Sequence, residues 1–480
     1  MDTTTTEAQT TEQPSPPGWV LWGILAVVMM ASALDLIDST ITNIAAPTIT
    51  RELHGGNALI KWLGAAYSLA LGVLLVVGGR LGDKFGQRRM FILGMSGFTL
   101  ASALAGFSPD SALLIVARAL QGGFGAMMIP QGVAIMTKTF PPKMKTLAFS
   151  IYGPVLGVAG VSGPILAGFL IDANIDGLSW RPIFLINLAL GTLGVAAAYR
   201  LLPRSGAAAE HDSTVAVDGW GAGLLAAAMF GMLFGLIEGS TNSWGPGPIA
   251  AVSAGAAFFA AFAYRQKTSP DPLIRASLLR NKRFTSGLLI GLAIFAATSG
   301  LLYVLSLFIQ EGLHESPRAA AIALVPLTIG IIGASGACIA LLPKLGRNLV
   351  FIGILLILGG CIWFYELIHA SGTHLGLWNL VGPMFVTGLG MGVGYTTIFN
   401  VALGDVEAEE AGSASGSLTS IQQLANGIGS AVVTTVFFQS ASQGLAHAAQ
   451  NSLLVVLIVT AIAFPVVFLM PKKATEELQY

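Results

Sequence analysis

The sequence predicts an all-α polytopic membrane protein: two bundles of six helices with two further helices inserted between them. Composition is the first indication. Hydrophobic residues make up 54% of the 480 and charged residues 10%, against roughly 25% charged in soluble domains, and the mean hydropathy is +0.75. Apolar runs are the second: about fourteen segments reach the roughly 17–25 residues that cross a bilayer. The third is their grouping, because the two longest polar stretches, 203–217 and 267–283, divide them into six, two and six.

In chain order, residues 1–18, MDTTTTEAQTTEQPSPPG, are polar, Thr-rich and end in prolines. They lack the basic start of a secretory signal and read as a short disordered cytoplasmic tail. The first bundle, 19–202, comprises spans at 19–46, 59–79, 90–107, 112–137, 147–170 and 182–202. The inserted segment, 218–266, holds spans at 219–238 and 248–264. The second bundle, 284–470, comprises spans at 284–309, 319–342, 349–368, 378–403, 414–438 and 452–470, and a tail follows at 471–480.

Lysine and arginine set the orientation. Loops after even-numbered spans carry Arg80, Lys84, Arg88 and Arg89, then Lys138, Lys143 and Lys145, then Arg204, and later Arg265 to Arg283, Lys344 and Arg347. The opposite loops carry Arg51, Lys61, Arg181 and Arg318. By the positive-inside rule both termini are expected in the cytoplasm. Net charge is zero, so no nucleic-acid footprint arises. Cys338 and Cys361 each fall in a span and read as packing residues, placed neither for a disulfide nor for a metal. A GxxxxGK[ST] phosphate loop is missing from the sequence, so no ATP motor is encoded in it. No cofactor is expected, and the energy source should be an ion gradient or a partner subunit.

Candidate functional residues are the polar groups these spans retain. Asp35 and Asp38 lie in span one, where a charge costs roughly 2.5–3.5 kcal/mol on insertion scales and is by default a functional candidate. Three residues apart, they share a helix face. Arg118 in span four lies at the depth of Asp38, which makes the two natural partners. They form either a pair that substrate or proton breaks or a fixed structural ion pair. Asp35 is one turn deeper and has no evident partner, which suits a group that loads and releases protons.

The segment GGRLGDKFGQRRMF between spans two and three reads as a tight cytoplasmic loop. Gly79, Gly82 and Gly86 would give the backbone freedom, and Asp83 stands among Lys84, Arg88 and Arg89. It is either a gating loop whose charge-assisted pairs lock neighbouring helices or a plain basic anchor. Span five carries Gly157, Gly160, Gly163, Pro164 and Gly168, a small-residue seam that permits close helix approach. Tyr303 in span nine and Asn400 in span twelve are polar groups in apolar surroundings. Glu238 near the outer end of span seven reads as a solvated end residue and is kept as a cavity candidate. Asp405, Glu407, Glu409 and Glu410 read as a solvated acidic loop.

These segments resemble the major facilitator superfamily, and within it the fourteen-span drug:proton antiporter branch. GRLGDKFGQRR is similar to that superfamily's loop motif, with Lys84 and Gln87 where arginines are usual. LDLIDSTITNIAAPTI resembles the branch's first-helix motif, with Asp38 at its acid and Asp35 extra to the pattern. ARALQGGFGA places Arg118, Gln121 and Gly122 at the fourth-helix motif. GVAGVSGPILAG resembles the antiporter motif of helix five, with Ala167 where a glycine is usual. SWRPIFLINL and GSASGSLTSIQQLANGIG are similar to the same branch.

The resemblance implies spans one, four, nine and twelve around a central cavity, with Gln121, Tyr303, Asn400 and Glu238 as cavity candidates and Asp38, Asp35 and Arg118 in proton coupling. It implies alternating access, and proton-driven export of lipophilic or cationic drugs by a monomer in the bacterial plasma membrane. The expected partners are small amphipathic or cationic substrates, protons and membrane lipids. Export of a self-made metabolite or lipid is the alternative. A transporter-like sensor without flux is a further one, and an enzyme is not expected.

Overall fold

A computed structural model describes residues 17–203 and 218–469, apart from 243, 271, 405, 408 and 409. The tails expected at 1–18 and 471–480 and the loop at 203–217 therefore lie almost wholly outside the described residues, as does Arg204. Sixteen helices account for the described chain. In the first half these are α1 (Gly18–Glu52), α2 (Gly56–Phe85), α3 (Gln87–Gly106), α4 (Ser111–Thr139), α5 (Pro142–Ala173) and α6 (Pro182–Leu201). The inserted pair is α7 (Gly219–Asn242) and α8 (Pro246–Thr268), followed by the short α9 (Ala276–Arg280). The second half comprises α10 (Lys282–Leu307), the short α11 (Pro317–Ala323), α12 (Val325–Leu345), α13 (Arg347–Ser371), α14 (Val381–Leu403), α15 (Ala411–Ser440) and α16 (Leu445–Val466).

Among the described residues, thirteen helices are long and apolar enough to cross a membrane. The fourteenth span is α15, which at 30 residues has the length but is too polar to count by composition. It is held by protein instead, packing on α10 and α16 within its own half and on α2, α4 and α7 across the middle. Outward-facing Leu100, Leu193, Ile458 and Trp363 are exposed, as lipid-facing side chains should be.

Within each half the helices pair closely: α2 and α3 along α4, α6 along α3, α1 along α5, α12 and α13 along α14, and α15 and α16 along α10. The halves meet along two seams. One runs between α5 and the α12–α14 pair, the other between α15 and the α2–α4 pair. The inserted helix α7 lies against α2 and α15 together. Leu233 fills the space over both Gly72 and Gly427, Trp62 and Phe234 meet at 6.0 Å between ring centroids, and Trp244 Nε1 donates to Thr435 Oγ1 at 3.1 Å. At its start, Asp218 accepts from the Gly221 amide at 3.0 Å and pairs with Arg265 of α8 at 2.9 Å.

Two sequence expectations are corrected. The segment at 79–86 is not a loop. α2 continues to Phe85, and the whole reversal into α3 is made by Gly86, whose φ of +93° is open to glycine. Span ten is found at Arg318–Cys338, with a one-residue interruption at Leu324 between α11 and α12. The acidic loop is not solvated throughout: Glu410 is buried, accepts a hydrogen bond from Ser277 and lies 3.9 Å from Arg275. The polar stretch after α8 is docked in the same way, with Ser413 Oγ donating to the Leu273 carbonyl at 3.2 Å.

Candidate functional site: a caged ion pair, a sealed face and a central cavity

The two aspartates of α1 occupy different environments. Asp38 is fully buried, and so is Arg118 of α4, to which it is ion-paired. Asp38 also accepts from Gln121 Nε2 at 3.1 Å and Asn187 Nδ2 at 2.6 Å. Arg118 spends its other donors on the Leu63 carbonyl at 3.0 Å and Gln121 Oε1 at 2.9 Å. Its guanidinium lies 4.4 Å from the Tyr67 ring centroid and 5.7 Å from that of Phe184. Gln121 is fixed in turn by donating to Ser102 Oγ at 2.8 Å. The cage therefore ties α1, α2, α3, α4 and α6 together through one carboxylate, with charge opposed by charge and the remaining lone pairs hydrogen-bonded, as a buried ion pair requires.

Asp35 stands outside this cage. It accepts from the Tyr67 hydroxyl, which also reaches the Asp35 carbonyl at 3.2 Å. The Asp35 carboxyl abuts Gly125 of α4, where a Cβ would come within 2.7 Å of it. The partner that the sequence did not provide is thus a phenol from α2. Asp35, unlike Asp38, lines the central cavity.

That cavity, of about 430 Å³, is in the range of sites that take drug-sized ligands. Its walls come from α1, α2, α5, α7, α10, α14 and α15. Tyr303 lines it as expected. Gln121 does not, because it is consumed by the Asp38 cage. Asn400 and Glu238 are not among the described lining residues either. Asn400 donates to the Thr396 carbonyl at 2.9 Å and reaches Ser150 Oγ at 3.5 Å. α4, expected on the cavity, supplies none of the described lining residues, whereas α15 supplies seven.

Towards the ends bearing the basic segments the two halves are sealed. A Cβ on Gly79 would come within 2.6 Å of the Gly412 carbonyl oxygen, and one on Gly412 within 2.7 Å of an Asp83 carboxylate oxygen. Asp83 of the first half therefore faces the first turn of α15 in the second, and both its carboxylate oxygens are buried there without a hydrogen bond among the described residues. Gly82 is needed for space, since Gln131 of α4 fills the position of any Cβ there. Gln131 itself donates to the Gly78 carbonyl at 2.7 Å. Ser415 Oγ donates to the Pro130 carbonyl at 3.2 Å, and Arg80 to the Pro272 carbonyl at 3.0 Å. Arg88 points away from Asp83 and donates to the Tyr199 and Leu202 carbonyls at the end of α6, at 2.7 and 3.1 Å. Arg89 is exposed.

The α5 seam is a packing surface on both sides. α5 runs unbroken through Pro154 and Pro164. A Cβ on Gly163 would meet Thr40 and the Ile37 carbonyl of α1, and Gly160 faces Leu36. Gly153 and Gly157 are covered by Tyr395 of α14, and Gly168 faces Arg318 across the halves at the far end. Sequence reasoning missed Tyr67, Asn187 and the α15 wall. Asn187 had a signal, as the polar member of SWRPIFLINL; Tyr67 had none.

A protein of two helical halves, sealed at one end around a central cavity, is a membrane carrier by fold. The chain belongs to the Major Facilitator Superfamily, whose family model matches residues 28–430, and it is a multi-pass membrane transporter. It is 39% identical to the probable actinorhodin transporter of Streptomyces coelicolor, covering 88% of this chain and 73% of that protein. It is 32% identical to the puromycin resistance protein pur8 of Streptomyces alboniger, covering 90% and 84%, and 31% identical to the tetracenomycin C resistance and export protein of Streptomyces glaucescens, covering 86% and 75%. Among solved structures, the proton:xylose symporter XylE superposes with a TM-score of 0.66 at 13% identity, covering 96% of this chain and 98% of that one. The human organic anion transporter MFSD10 gives 0.65 at 15%, covering 94% and 100%. These two likenesses concern the fold.

Proposed function

We propose that the protein is a proton-driven antiporter that exports lipophilic or cationic compounds of the antibiotic type across the bacterial plasma membrane, with both termini in the cytoplasm. The observation that carries this reading is the placement of Asp35. It is a carboxyl on the wall of the substrate cavity, one turn from a caged ion pair, so proton and substrate meet the same group. A proton arriving from the cavity reaches Asp35 before it can reach Asp38, whose lone pairs are occupied. Asp35 is the proton site in this scheme. Asp38 and Arg118 hold α1 against α4 so that a change at Asp35 moves both helices together.

The basic segments at the sealed end support a cytoplasmic assignment for that end, which makes the structure an outward-facing state. The Gly79–Gly412 contact and Asp83 at the start of α15 would part when the carrier turns inward. The names of the Streptomyces relatives favour export of a compound the cell makes itself as a second reading, by the same cycle. Purified protein in proteoliposomes, given an imposed pH gradient and a panel that includes puromycin and hydroxylated aromatic compounds, tests both. Asp35→Asn should lose gradient-driven accumulation while still binding its substrate. Wild-type accumulation in Asp35→Asn would refute the assignment of the proton site.

A further inference from the structure

The second half presents a patterned wall to the cavity. Ala414 and Leu418 of α15 are fully buried where the halves are sealed. Further along the helix Gln422, Gln423, Asn426, Ser430 and Thr434 line the cavity, five polar groups among the seven residues α15 presents there. Steps of four drift about 40° each around the helix, so these groups form a ladder that winds along the wall.

These groups have hydrogen-bonding capacity left over. Gln422 makes no hydrogen bond within the protein among the described residues. The Gln423 and Asn426 amides share only a 3.5 Å contact. Ser430 donates back to the Asn426 carbonyl at 2.9 Å and keeps its acceptor lone pairs. The neighbouring wall is aromatic: Phe295 of α10 and Tyr395 of α14 stack at 5.6 Å between centroids and 25° between planes, and both line the cavity. Asp35 is the one acidic or basic side chain among the described lining residues, and it is engaged by Tyr67.

We infer that the α15 ladder is the substrate-selecting surface, and that it selects planar, uncharged aromatic compounds carrying carbonyl and hydroxyl groups along an edge, in preference to lipophilic cations. Primary amides offer a donor and an acceptor side by side, which matches neighbouring carbonyl and hydroxyl oxygens. A flat ring system packs against Tyr395, the less buried member of that aromatic pair, while its oxygenated edge meets the ladder. A permanent cation gains nothing from neutral amides and must compete with Tyr67 for the single carboxylate. This inference rests on the exporter reading above and narrows its substrate class.

The test measures equilibrium binding to the purified full chain and flux in proteoliposomes, with 1,4-dihydroxyanthraquinone as the uncharged probe and tetraphenylphosphonium as the cation. Wild-type protein should bind the quinone more tightly. Gln422→Leu combined with Asn426→Leu should weaken the quinone at least tenfold and change the cation less than twofold. Asn426→Asp should raise affinity for the cation at least fivefold, a gain that misfolding cannot imitate. Tighter wild-type binding of the cation, no binding of the quinone, or quinone affinity unchanged in the leucine pair would each overturn the inference. Ladder-dependent binding without pH-gradient-driven flux would refute the exporter reading and leave the ladder standing. Flux that ignores the ladder would refute the ladder alone.

Discussion

Removing Arg118 should injure the protein far more than removing the pair it belongs to. In Arg118→Gln the Asp38 carboxylate stays at zero exposure with only the amides of Gln121 and Asn187 facing it. Breaking a buried pair from one side costs about 3–5 kcal/mol, a fifth or more of a stability of roughly 5–15 kcal/mol. The double variant Asp38→Asn with Arg118→Gln leaves no buried charge, and neutral amides replace both partners. It should recover most of the loss, for a coupling of about 3 kcal/mol between the sites. Asn187→Leu removes one hydrogen bond to a charged group and should fall between, at about 1.5–3 kcal/mol. Equilibrium unfolding of the purified protein in mixed micelles, run as a double-mutant cycle, measures each corner. Additive effects, or an Arg118→Gln variant within about 1 kcal/mol of wild type, would refute the view that this cage is saturated and fixed.

Other outcomes follow from the same geometry. Tyr67→Phe removes the hydroxyl that Asp35 accepts from and should cost about 1 kcal/mol of stability while shifting the pH dependence of transport, read as initial rate against external pH. Gly79→Val places a branched side chain against the Gly412 carbonyl and should open the sealed end; labelling of Ser415→Cys by a maleimide, in a variant lacking Cys338 and Cys361, should rise severalfold. The Arg265 hydrogen bond holds the Asp218 carboxyl below its ordinary 3.8. Its contribution is therefore complete above that value and is lost as pH falls through the lower folded value. Because Arg265 is solvent-exposed the gain is small, so thermal stability in wild type should fall only slightly more between pH 6 and pH 3 than in Asp218→Asn, and less in high salt.

Much of this architecture was legible because lipid imposes simple rules on sequence. Length and hydropathy give the spans, and the 6–2–6 grouping follows from two polar interruptions. The Asp38–Arg118 pair was legible from matched depth alone. Three kinds of fact were not. Gly79 and Gly82 looked like loop residues because glycine usually signals backbone freedom; here they clear space for the Gly412 carbonyl and for Gln131, which no local pattern encodes. Gln121 looked like a cavity group, but its neighbours in space, Ser102 and Asp38, come from other helices. The partner of Asp35 is a tyrosine on α2 in an otherwise unremarkable apolar run, and only the tertiary fold brings it near.

The polarity of α15 has a consequence for how the chain is made. A helix that carries Gln422, Asn426, Ser430 and Thr434 gains too little from hydrocarbon to partition into a bilayer alone, because insertion follows summed apolar transfer. The segment after it, Leu445–Leu469, is the most apolar in the chain, with a mean hydropathy of 2.8. α15 is therefore expected to enter the membrane as one arm of a hairpin with α16, packing on α10 and α2 while its polar groups face the cavity. The last loop of biogenesis completes the cavity, so a chain truncated before α16 would leave its ladder helix stranded at the membrane surface.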